Sequence, residues 1–180
     1  MEYLQLDKII NAQALRSAEA GNEAHEEMLF IITHQVYELW FKQIIHELHA
    51  IMDDFDDGKV DERNIGRSVA RLDRIIKIQG LLISQIEVME TMTALDFLEF
   101  RSYLFPASGF QSVQFRQMEV LLGLEREGRV KYFDADYDSV FDSPTQKRIK
   151  KWEAGESLFT LVEDWLERTP FLNWKEFDFI

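Results

Sequence analysis

The sequence predicts an all-α protein, a bundle of long antiparallel helices around one core. Three observations carry this. Apolar residues recur three and four positions apart over long stretches, with no alternating runs of the kind a strand needs. Proline and glycine are scarce, 3 and 8 in 180 residues. Hydrophobic residues make up 46% of the chain, 14 of them Phe, enough to fill the core of a single domain spanning residues 1–180.

The first long element covers residues 25–55. Met28, Ile31, Ile32, Val36, Leu39, Trp40, Ile44, Ile45, Leu48, Ile51, Met52 and Phe55 return at helical spacing. An acidic turn with Gly58 follows, and Ile65, Val69, Leu72, Ile76 and Ile83 mark a second long helix running toward Met92, which pairs antiparallel with the first. Thr93 with Asp96 forms a capping box for a shorter helix bearing Phe97, Phe100, Arg101 and Leu104, ended by Pro106. Ser108 and Gln111 have the spacing of an N-cap and its N3 partner, so the next helix is expected from Ser108 to Gly123. Residues 125–142 read as charged and irregular. Ser143, Pro144 and Gln146 then signal another helix start, with Ser143 as cap. A last helix covers residues 157–168 with Leu158, Leu161, Val162, Trp165 and Leu166 inward. Beyond Pro170 the tail holds Phe171, Leu172, Trp174, Phe177, Phe179 and Ile180, with nothing left in the chain to bury them, which points to a further C-terminal portion or a partner.

Charge narrows the partners. Acidic residues outnumber basic ones 33 to 20, a formal net charge of -13, which repels nucleic acid and anionic lipid alike. No run of about 18 apolar residues exists to cross a membrane. The N-terminus lacks the basic and apolar regions of a signal peptide, and the absence of cysteine excludes disulfides and thiolate metal sites. The expected compartment is the cytoplasm.

All four histidines, His25, His34, His46 and His49, fall in the first 50 residues. His46 and His49 are three apart and could face one metal. However, the Glu-x-x-His pairs of carboxylate-bridged di-iron bundles and the His-Glu-x-x-His zinc spacing are both missing, so a solvated or interface face accounts for them better. His34 sits among Phe30, Ile31, Ile32, Tyr37 and Leu39 and is expected to point inward. It reads either as a core histidine bonded to a nearby carbonyl or as a pocket imidazole that exchanges hydrogen bonds near neutral pH. Arg101 follows Phe97 by one turn in an apolar setting, which calls for an anionic partner, either a protein carboxylate or a ligand. Ser108 and Gly109 offer backbone N–H groups and room for close approach, although capping alone explains the serine.

Three separated segments, EYLQLDK at 2–8, HEEMLFIITHQVYELWFK at 25–42 and FLEFRSYLFPASGFQS at 97–112, closely resemble the tryptophan 2,3-dioxygenase family and occur in family order. The match is dense to about Leu122 and looser beyond. The resemblance implies an all-α homotetramer that binds b-type haem and uses O2 to open the indole ring of L-tryptophan, giving N-formylkynurenine. By position, His34 resembles the distal histidine that faces the indole N–H, with Phe30 beside it against the haem. Arg101 resembles the residue that pairs with the substrate carboxylate. Phe97 stands where members carry Tyr or Phe, so no hydroxyl assists the arginine. Ser108 and Gly109 match the turn beside the haem, and Tyr3 and Leu4 match N-terminal residues that reach a neighbouring subunit's pocket. The family's axial histidine lies far along the C-terminal part, and this chain has none after His49. No metal ligand is therefore expected in this chain, which resembles the distal half of the enzyme; alone it is expected to bind haem weakly at most and to be inactive. The rival reading is a non-catalytic helical interaction protein that kept the scaffold and lost the haem.

Overall fold

The computed structural model describes residues 3–55, 60, 62–105, 111–129 and 139–168. Every regular element among them is helical. In chain order they are α1 (Leu6–Ile10), α2 (Arg16–Glu19), α3 (Glu26–Phe55), α4 (Glu62–Met89), α5 (Ala94–Phe100), a 3-10 turn (Arg101–Leu104), α6 (Val113–Leu122), a second 3-10 turn (Arg126–Gly128), α7 (Ser143–Glu153) and α8 (Leu158–Arg168). The chain groups into two compact units, residues 1–39 with 80–109 and residues 40–79 with 110–180.

The first unit holds α1, α2, the start of α3, the end of α4, α5 and the first 3-10 turn. Here Gln85 donates to the Thr33 carbonyl at 3.2 Å and the Tyr37 hydroxyl to the Leu82 carbonyl at 2.6 Å. Partners ascend one helix as they descend the other. Burial in this part of α3 departs from the expected pattern, because Glu27 and Thr33 are buried while Met28, Ile32 and Leu39 are 38%, 43% and 50% exposed. A helix with apolar residues around most of its circumference cannot bury all of them against one neighbour.

The second unit contains most of the apolar core. Phe41, Ile44, Ile45, Leu48, Ile51 and Phe55 of α3 are buried, as are Ile75 and Ile78 of α4, Met118, Val120 and Leu121 of α6, Ile149 of α7, and Leu158 and Leu161 of α8. Phe41 meets Phe115 at 5.4 Å between ring centroids, and Phe55 meets Trp165 edge-on at 5.7 Å. Ion pairs fasten α3 to α4: Arg74 to Glu47 at 2.6 Å and Arg71 to Asp54 at 2.7 Å. Buried Glu119 lies 2.9 Å from Arg116. Burial pushes its carboxyl above the ordinary range, against the pull of Arg116 and Arg129.

Helix starts show which polar residues win. Thr93 and Asp96 form the expected capping box. The start of α6 is corrected from Ser108 to Val113: Ser112 accepts the Phe115 N–H at 3.1 Å, and Gln111 precedes the helix. Ser108, Gly109 and Pro106 lie outside the described residues, as do Gly58 and the tail from 169. The cap of α7 is Asp142 rather than Ser143; its carboxylate accepts the Thr145 N–H at 3.0 Å, and Pro144 sits in the first turn. A charged acceptor outcompetes the neighbouring hydroxyl. Gly123 ends α6 in the left-handed region at φ +92°, where a β-carbon would stand 2.7 Å from the Phe159 Cβ.

Candidate functional site

The candidate site is built on the start of α3 and on α5, both in the first unit. Phe30 and His34 are one turn apart on α3, so their rings share a face. The His34 Nδ1 lies 2.7 Å from the Phe30 carbonyl oxygen, and the two rings overlap at 4.1 Å between centroids. A carbonyl only accepts, so Nδ1 carries the proton. In the neutral ring Nε2 is then left as an acceptor. The ring is exposed, and the expected inward-facing histidine is thereby corrected: its own helix carbonyl satisfies it without any burial in a core.

The Thr93–Asp96 capping box sets the direction of α5. The Thr93 hydroxyl and N–H hold the Asp96 carboxyl below the ordinary range. From there α5 presents Phe97 and Phe100. Phe100 is fully buried and meets Phe30 edge-on at 5.5 Å and Phe97 edge-on at 5.4 Å. Phe97 and Phe30 are 6.0 Å apart, so the three rings form one apolar shelf, each pair within the range of favourable aromatic contact. Arg101 follows as the first residue of the 3-10 turn, its guanidinium 5.9 Å from the Phe97 ring centroid. The expected apolar enclosure of Arg101 is not found, since the side chain is exposed. Among the described residues no carboxylate forms an ion pair with it.

The structure thus brings four of the expected residues into one row: His34, Phe30, Phe97 and Arg101. An acceptor nitrogen stands at one end, a cation at the other, and aromatic surface between. Tyr3 and Leu4 are 95% and 54% exposed and are not part of the row. His25, His46 and His49 are exposed elsewhere, His49 lying 3.3 Å from the Gln117 amide nitrogen.

One buried residue beside the site carries no signal in the sequence. Glu27 is 1% exposed and binds the start of α2. Its carboxylate accepts the Arg16 N–H at 2.8 Å, the Ser17 N–H at 3.0 Å and the Ser17 hydroxyl. Burial opposes ionisation, but these donors outweigh it and hold the carboxyl below the ordinary range. An acidic residue in the first turn of a helix ordinarily faces solvent, so nothing in the spacing marked it.

A sequence profile described as tryptophan 2,3-dioxygenase matches residues 1–180. The chain belongs to the tryptophan 2,3-dioxygenase family. It is 52% identical to the tryptophan 2,3-dioxygenase of Alteromonas mediterranea over 99% of its own length and 49% of that relative. Against the tryptophan 2,3-dioxygenase of Dictyostelium discoideum it is 51% identical over 98% of its length and 44% of the relative, and against that of Xenopus laevis 51% over 99% and 44%. The chain therefore spans about half the length of these members of the tryptophan 2,3-dioxygenase family.

Proposed function

We propose that this chain forms the substrate-facing wall of a tryptophan dioxygenase site, where O2 opens the indole ring of L-tryptophan to give N-formylkynurenine. The observation that carries this is the row itself. Tryptophan is an apolar bicycle with one N–H donor on its ring and a carboxylate at its other end, and the row offers complementary groups in that order. The His34 Nε2 accepts the indole N–H; its Nδ1 proton, committed to the Phe30 carbonyl, keeps the ring from presenting a donor there. Phe30 and Phe97 supply apolar surface that excludes water from the indole. Arg101 pairs with the carboxylate through its planar fork, without help from Phe97, which has no hydroxyl. Holding the substrate by both ends restricts it to one orientation for oxygen attack.

A b-type haem is the family's cofactor, and the residues present fit one face of it. Phe30 and the exposed His34 imidazole offer the flat apolar surface and single polar atom suited to the side where substrate and O2 meet. Ser108 and Gly109, which the resemblance assigns to the haem, lie outside the described residues. None of His25, His34, His46 and His49 is assigned to hold the iron, His34 being given to the substrate and the other three lying outside the row. Bound there, the haem would supply O2 activation. By the same reading the assembly is a cytoplasmic homotetramer in which the exposed Tyr3 and Leu4 reach a neighbouring subunit's pocket.

Arg101→Ala in the complete haem-loaded enzyme, with the iron's imidazole supplied, tests the reading. Arg101 is exposed, so the loss is that of a charge-assisted hydrogen bond, about 1.5–3 kcal/mol, and kcat/KM for tryptophan should fall roughly 10- to 150-fold. An unchanged kcat/KM would refute the assignment.

A further inference from the structure

The turn that carries Arg101 is braced by a buried carboxylate that never meets the row. Glu27 sits on the first turn of α3, three residues before Phe30, and accepts the Arg16 and Ser17 N–H groups and the Ser17 hydroxyl. The Ser17 oxygen in turn accepts the Ala24 N–H at 2.9 Å, which closes the 18–24 loop around it. The Arg16 and Ser17 N–H groups open α2 and have no partner within that helix, so the carboxylate holds α2 by its start. α2 also lies against the 3-10 turn Arg101–Leu104. Glu27 is therefore hydrogen-bonded to α2, and α2 neighbours the turn bearing Arg101, while α3 itself carries Phe30 and His34.

We propose that Glu27 is a positioning residue for Arg101: by tying α2 to α3 it fixes the turn from which the guanidinium reaches the substrate carboxylate. The inference rests on the tryptophan reading above. A carboxylate suits the place because three donors converge on its two oxygens. Glutamine would turn an NH2 toward one of them, and the turn would lose part of its brace.

The test compares Glu27→Gln and Ser17→Ala in the complete haem-loaded enzyme with two ligands, L-tryptophan and tryptamine, which lacks the carboxylate. Ser17→Ala leaves both N–H bonds to Glu27 and removes the hydroxyl's bonds to Glu27 and to the Ala24 N–H, so it serves should Glu27→Gln fail to fold. Each variant should raise KM for tryptophan about five- to tenfold with kcat within about twofold, the pattern of lost uniform binding. Tryptamine affinity should not change. Amide hydrogen exchange should quicken at residues 16 and 17 and at 101–104. Equal weakening of both ligands, or unchanged exchange at 101–104, overturns the inference. Arg101→Ala run alongside separates the two failures. If it shifts the tryptophan-to-tryptamine ratio while neither Glu27→Gln nor Ser17→Ala does, the positioning role alone is wrong. If Arg101→Ala leaves that ratio unchanged, the assignment of Arg101 falls and takes the inference with it.

Discussion

His34→Ala removes one acceptor from one end of the row, and its cost can be worked from the geometry. The imidazole has its Nδ1 proton engaged by the Phe30 carbonyl at 2.7 Å, which leaves Nε2 of the neutral ring as the atom that accepts from the substrate. Losing a single hydrogen bond between neutral groups and leaving the indole N–H unpaired costs about 1–3 kcal/mol. At about 1.4 kcal/mol per decade, kcat/KM should fall by roughly 5- to 150-fold. The side chain is exposed, and among the described residues its hydrogen bond and ring contact are both with Phe30 on its own helix, so folding should be little affected. The assay is O2 consumption with L-tryptophan and with 1-methyl-L-tryptophan, in which the N–H is replaced. With the methylated substrate the native protein has no such bond to lose, so variant and native rates should converge, and the difference between the two ratios isolates the bond as a double-mutant cycle does. Equal losses on both substrates would show that His34 acts by shape. Abolished turnover of tryptophan with haem still bound would show that it removes the indole proton as an obligatory base, and the positioning account would fail.

Two further outcomes concern stability. Gly123→Ala should lower stability by about 2–4 kcal/mol, combining the left-handed backbone cost with overpacking, since the new Cβ would fall 2.7 Å from Phe159 Cβ and 2.9 Å from Ser157 Oγ; a thermal midpoint within about 1 °C of the native one would contradict the geometry. The Glu27 carboxyl is held below its ordinary value of 4.5 in the folded chain, so its contribution is complete above that value and fades as pH falls through the folded pKa. Amide protection at residues 16 and 17 should accordingly persist from neutral pH to about 4.5 and drop below it, and a loss beginning near pH 6 would mean that another group controls the docking of α2.

What the residues disclosed unaided was period and punctuation. Recurrence every three or four positions gave both long helices, and Thr93 with Asp96 gave the start of α5, because those signals are local and survive any tertiary context. Azimuth was not legible. Around the start of α3 apolar side chains cover most of the circumference, so sequence alone could not choose between facing Met28 and Ile32 inward and facing Glu27 and Thr33 inward, and the structure takes the second. Competing caps were equally ambiguous: Ser108 and Ser112 both precede the same apolar run, and only the Phe115 N–H bond decides between them. The site divides along the same line. Phe97 and Arg101 are linked by one helical turn, and so are Phe30 and His34, which made each pair readable. That the two pairs meet depends on Phe100, buried between Phe30 and Phe97, a contact between residues 70 positions apart. The outward turn of Met28, Ile32 and Leu39 leaves apolar surface on the helix that carries His34. Such surface is costly in water at about 25 cal/mol per Å2, but at about 3.6 residues per turn it lies on the opposite side of α3 from Phe30 and His34, so it forms no wall of the row.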